Sequence, residues 1–110
     1  MPSSKSLADY QKEIDDWAQT LEQPYWSPLS QLARLIEEAG ELARIYNHKY
    51  GDKIKKPTET PDDIEDEMGD ILFDLICMAN TEGISLEQCI EKALTKSKIR
   101  DKDRFKKKAA

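Results

Sequence analysis

The segment from Ile64 to Ala79 constrains this chain most. Its second half, Ile71-Leu72-Phe73-Asp74-Leu75-Ile76-Cys77-Met78-Ala79, is almost continuously apolar, yet carboxylates fall into it one helical turn apart, at Glu67, Asp70 and Asp74. A run this long without strand alternation reads as a helix with most of its circumference covered. Carboxylates inside such a helix need partners, because an unpaired buried charge costs several kcal/mol. The chain must therefore supply at least one further helix, and something positive.

Three other segments read as helices, and none reads as a strand. Leu7, Tyr10, Ile14, Trp17 and Leu21 form one stripe of a first helix that ends before Pro24. Ser27-Pro28 is a cap followed by a first-turn proline, opening a second helix that runs to Tyr50 and stops at Gly51. Leu29, Leu32, Ile36, Ala39, Ala43 and Tyr46 form its stripe, widened by Leu35 and Leu42, so it belongs near the centre of a bundle. Thr60-Pro61-Asp62-Asp63 starts the third helix, which Gly83 ends. Ser85-Leu86-Glu87-Gln88 is a capping box for the fourth, which carries Leu86, Cys89, Ile90, Ala93 and Leu94 and extends toward Arg104. With 110 residues and short connections, the expected fold is a single all-α, four-helix bundle.

Charged residues are 35% of the chain against 38% hydrophobic, so core material is scarce and association through the helices would relieve the shortage. No apolar run is long enough to span a membrane, and the first ten residues lack a signal peptide's apolar stretch. Cys77 and Cys89 occupy apolar positions without metal or redox spacing, and read as reduced core residues of a cytoplasmic protein. Charge is unevenly spread: between Lys96 and Lys108 eight bases face two acids, a net +6, which leaves −11 on the rest of a chain whose total is −5. The acidic body argues against a nucleic-acid partner, since it would repel a phosphate backbone. The alternative function is nevertheless a non-catalytic nucleic-acid-binding or regulatory helical protein using that basic segment.

The second helix carries its own acids, Glu37, Glu38 and Glu41, at spacings that share a face. Either acidic motif alone is an ordinary solvated face. Together, on consecutive helices and amid apolar sequence, they point to a divalent cation held by oxygen ligands. Gly40 and Gly69 lie inside the two motifs, and a mid-helix glycine there suggests close approach of backbones. A di-iron carboxylate bundle needs Glu-x-x-His motifs. The sole histidine, His48, has no Glu three residues before it and reads as a surface residue.

Glu37-Glu38-Ala39-Gly40-Glu41, then 25 residues, then Glu67-Met68-Gly69-Asp70-Ile71-Leu72-Phe73 resembles the EExxE…ExxD signature of MazG-like nucleoside triphosphate pyrophosphohydrolases. The resemblance spans about Leu7 to Phe105, and implies one MazG-like domain over 1–110 with a basic tail from 106. It implies a MazG-like bundle assembled as a dimer or tetramer, and hydrolysis of an NTP or dNTP to the monophosphate and pyrophosphate. Glu37, Glu38, Glu41, Glu67 and Asp70 would coordinate Mg²⁺, with Mn²⁺ as a substitute. Glu38 or Glu41 would activate the attacking water. Lys96 and Arg100, one turn apart after the acidic core, would meet phosphates, or else are simply exposed cations at a helix end. Asn80, an amide in an apolar helix, could face a nucleobase or make a structural hydrogen bond. Trp26 could stack on a base or pack beside its helix start, whereas Trp17, on the apolar stripe, reads as core.

Overall fold

The computed structural model describes residues 4–59, 61, 63–109. It contains four helices and no strand among them: α1 (Leu7–Ala18), α2 (Pro28–Tyr50), α3 (Ile64–Glu82) and α4 (Leu86–Arg100). α2 packs along α3, α1 lies on α3, and α4 leans on α1.

Local chemistry sets the helix ends. Ser6 and Asp9 exchange side-chain bonds with each other's backbone N–H at the start of α1, a reciprocal cap. α1 stops at Ala18, short of the expected Leu21, because the chain tightens: the amide and hydroxyl of Thr20 both donate to the Trp17 carbonyl. Ser27 makes no capping bond to α2; its hydroxyl donates to Ser30 Oγ instead, and Pro28 alone marks the start. α3 begins at Ile64, where the Asp63 carboxylate accepts from the Asp66 amide. The expected capping residue, Thr60, lies outside the described residues. Gly83, at φ 68°, takes the left-handed conformation that closes α3, which any other residue would adopt only with strain. Ser85 caps α4, which ends at Arg100.

The packed face of α2 is not the one its apolar stripe suggests. Gln31, Glu38 and Ile45 are buried against α3, with Leu35 and Leu42 half-buried between them, a spacing of three and four. Leu29, Leu32, Ile36, Ala39, Ala43 and Tyr46 all lie open, Leu29 at 80% and Ile36 at 64% exposure. On α3, Ile76 and Ala79 are buried, while Met68, Leu72 and Leu75 are exposed. α4 has no buried residue at all. The surface of one chain, 9153 Å², is far above the roughly 6,200 Å² of a compact monomer of this mass. Its radius of gyration, 17.9 Å, likewise exceeds the roughly 13 Å expected.

Other expectations need the same correction. A Cβ added at Gly40 or Gly69 would meet nothing within 4 Å, so no close backbone approach occurs at either within the protomer. Cys77 is half-buried and Cys89 exposed, both as free thiols. Trp17 is 55% exposed, its ring edge-on to Phe73 at 6.3 Å. The His48 side chain is 3% exposed, because the segment after α2 folds back and sets Glu59 3.4 Å from its Nε2.

A carboxylate cluster beside an aromatic cavity

Three of the expected acids meet. Carboxylate oxygens of Glu38, from α2, and of Glu67 and Asp70, from α3, all lie within 4.8 Å of one another. Glu38 is only 7% exposed. Its Oε1 accepts from Arg34 Nε at 2.9 Å, one turn earlier on α2. Oε2 of Glu67 is buried without a hydrogen-bond partner.

Electrostatics within the cluster are unfavourable as the chain stands. The Glu67 carboxyl is pushed up to about 7, first by its contact with the Glu38 carboxylate, then by burial and by the charges of Asp70 and Glu41. Two facing carboxylates cannot hydrogen-bond while both are ionised, so the pair must share a proton or a cation. Asp74, one turn beyond Asp70, is also raised, chiefly by burial, with Arg34 acting in the opposite direction. An orphaned buried oxygen, converging carboxylates and an all-oxygen donor set fit a hard divalent cation.

The remaining candidates are distributed around this core. Glu41 lies close enough to raise Glu67, but its side chain is half exposed and paired with Arg44. Glu37 is exposed and lines a separate hollow with Trp26, Ser27, Ser30 and Arg34. A cavity of about 600 Å³ is lined by Trp17, Trp26 and Phe73, by Arg34 and Asp74, and by Asp70 of the cluster. Trp26 thus stands between hollow and cavity.

Asn80 is fully engaged elsewhere. Its Nδ2 donates to the Gln11 carbonyl at 3.0 Å and to the Tyr25 hydroxyl at 3.1 Å, while its Oδ1 accepts from Gln11 Nε2 at 3.1 Å. The Tyr25 hydroxyl in turn donates to Asp15. This network pins α1 to α3. Lys96 and Arg100 lie along an open groove of α4, and neither lines the cavity. Arg100 bonds Asp101.

Sequence reasoning missed Arg34. An Arg four residues before a glutamate that must be buried is a readable signal, since such a pair shares a helix face. Asp74 was visible as an extension of the acidic row, but its place in an aromatic cavity was not.

The family model for the MazG nucleotide pyrophosphohydrolase domain matches residues 26–105. The chain belongs to the MazG family. YpjD of Bacillus subtilis (strain 168) is 47% identical over 106 residues, covering 96% of each chain, and YvdC of the same organism is 29% identical over 77% of this chain and 86% of its own length. Among solved structures, the YpjD crystal structure superposes with a TM-score of 0.75 at 46% identity, covering 86% of this chain and 97% of that one. The Bacillus-conserved MazG protein, a nucleotide pyrophosphohydrolase, gives 0.73 at 42% identity, covering 86% and 91%. MazG membership makes the chain a hydrolase of the nucleotide pyrophosphohydrolase class, with an all-α fold like those two structures. No described helix is long and apolar enough to cross a membrane.

Proposed function

We propose that this MazG protein is a Mg²⁺-dependent pyrophosphohydrolase that converts an NTP or dNTP and water to the nucleoside monophosphate and pyrophosphate. The observation that carries the reading is the convergence of Glu38, Glu67 and Asp70, with a buried oxygen of Glu67 left without a donor. A triphosphate is itself multiply anionic, so acids can hold it only through cations that neutralise it.

Glu38, Glu67 and Asp70 would hold the metal, with Glu41 and Glu37 completing the set. Bound Mg²⁺ would supply Lewis acidity toward the phosphoryl group and lower the pKa of an attacking water. Glu41, half exposed beside the cluster, is better placed than the deeply buried Glu38 to accept that proton, and either residue stays within the proposed role. Arg34 neutralises Glu38 before a cation does, and afterwards offers its donors to the cavity. The nucleoside would enter the cavity, where Trp26 and Trp17 present rings for stacking. Asn80 supports this wall by fixing Tyr25.

The working unit is a homodimer or homotetramer. The apolar stripe of α2 and Met68, Leu72 and Leu75 of α3 are left exposed by their own chain. A second copy would cover them, and Lys96 and Arg100 could reach phosphates in such an assembly. Two free thiols accord with a cytoplasmic location.

The test is a panel of canonical and damaged nucleotides with MgCl₂ or MnCl₂, with products identified. Release of pyrophosphate and monophosphate is expected from at least one of them. Orthophosphate as the first product, or no turnover of any member, would refute the proposal.

A further inference from the structure

Arg34 lines both recesses beside the carboxylate cluster, and among the described residues it is the single cation in either lining. The other charges there are acids: Asp70 and Asp74 in the cavity, Glu37 in the hollow. A guanidinium carries five N–H donors in a rigid fork. Its Nε lies 2.9 Å from Glu38 Oε1, while its terminal Nη groups make no hydrogen bond with any described residue. The Glu38 side chain is 10% exposed and that of Arg34 46%, so a buried carboxylate anchors a cation that solvent still reaches. Other arginines are occupied: Arg44 pairs with Glu41, and Arg100 and Arg104 with Asp101.

We propose that Arg34 is a phosphate ligand of this site, its terminal N–H groups donating to phosphoryl oxygens of the nucleotide while its Nε stays beside Glu38. The inference rests on the nucleotide-hydrolase reading and adds a substrate contact to it. A planar fork suits the oxygens of a phosphoryl group, and such charge-assisted bonds are strong. An anion entering a recess lined by acids is otherwise repelled. The same positive charge has a second consequence. Beside Glu38 it opposes a divalent cation on that carboxylate, and it attracts a triphosphate once the cation is bound. Removing it should therefore strengthen binding of metal alone and weaken binding of nucleotide. A residue that only props Glu38 would weaken metal binding when lost, so the sign separates the two roles.

The experiment has two arms. In the first, Mn²⁺ alone is titrated by calorimetry into wild type and Arg34→Gln, and the variant should bind it about threefold tighter. The α,β-imido analogues of ATP, GTP, CTP and UTP are then added with Mn²⁺ and followed by quenching of Trp17 and Trp26, the two tryptophans of the chain, both in the cavity lining. Each analogue should bind R34Q about tenfold more weakly than wild type, by a similar factor for every base. Arg34→Lys, which keeps the charge without the fork, should fall between them. Unchanged analogue affinity, no binding to the wild type, or a loss confined to one base would overturn the inference. Unchanged or weaker Mn²⁺ binding in R34Q would also overturn it, by making Arg34 a support of Glu38. Should R34Q fail to fold by circular dichroism, R34K decides: analogue affinity lowered for every base, with Mn²⁺ affinity at the wild-type level, is the expected result. In the second arm, turnover of the natural nucleotides by R34Q should show KM raised about tenfold with kcat within about threefold. A fall in kcat at unchanged KM would overturn the phosphate contact. Analogue binding that depends on Arg34, with no turnover of any nucleotide by the wild type, would refute the hydrolase reading and leave that contact standing.

Discussion

The α2–α3 pair and α4 are both amphipathic and highly charged, yet they are held in opposite ways. Along α2 and α3 the acids Glu38 and Glu67 are drawn into the helix interface and given electrostatic work: a salt bridge from Arg34 on one side, mutual repulsion on the other. α4 leans on α1, buries nothing, and leaves Ile90, Leu94 and Ile99 exposed beside Lys96 and Arg100. The contrast separates two meanings of an apolar stripe. A face that closes against its own chain fixes local geometry, here the spacing of three carboxylates. A face left open by its own chain is the surface that the proposed assembly would cover.

The largest effect should come from breaking the first region. Glu67→Gln or Asp70→Asn removes a charge from the converging set without changing shape. Pyrophosphate release should fall by more than about a hundredfold, with the helical circular dichroism unchanged; retained turnover would separate the cluster from catalysis. The second effect sharpens the contrast. Ile90→Glu and Ile99→Glu place charge on side chains already 58% and 72% exposed in the protomer. On a face that truly stays open, each would alter stability by no more than about 0.5 kcal/mol. Light scattering should instead show smaller particles than the wild type, with activity that depends steeply on protein concentration. An unchanged particle mass would place the interface elsewhere.

The smallest effect is a pH dependence confined to the α2–α3 side. Glu67 is raised to about 7 by Glu38, so folding takes up a proton there. The metal-free protein has this contribution in full below the ordinary carboxyl value near 4.5, and loses it as pH climbs through about 7. Thermal unfolding in chelator should therefore shift downward between pH 5 and 8. A divalent cation replaces the proton, so Mg²⁺ affinity should rise over the same range and the downward shift should shrink. A melting temperature independent of pH in chelator would mean that the two carboxyls do not interact as described.

The helices themselves were legible because their signals are local. Gly83 and Ser85 supply a left-handed stop and a cap in a few residues, and the structure has both. The convergence of Glu38, Glu67 and Asp70 was legible too, since carboxylates at helical spacing amid apolar residues leave little choice of direction. What failed was the assignment of inside and outside. Leu29, Leu32 and Ile36 are more apolar than Gln31 and Glu38, yet the latter pair is buried. Periodicity reports which residues prefer to leave water, but not whether their own chain or another covers them. Trp17 sits on the apolar stripe of α1 and is nevertheless 55% exposed. His48 was misjudged because its cover comes from Glu59, beyond the helix it ends. Arg34 needed only a look one turn upstream of Glu38.

The amide of Asn80 bears on where this protein can be cut. The family-matched segment opens at Trp26, but the bonds of Asn80 run to Gln11 and Tyr25, both upstream of it. Gln11 also reaches past α3, its side chain bonding the Ile84 carbonyl and the Leu86 amide. A fragment trimmed to the recognisable segment would keep every carboxylate of the cluster and still lose one aromatic wall, along with the clasp that joins three helices. The boundary of the family-matched segment and the boundary of the hydrogen-bonded helix assembly therefore do not coincide in this molecule.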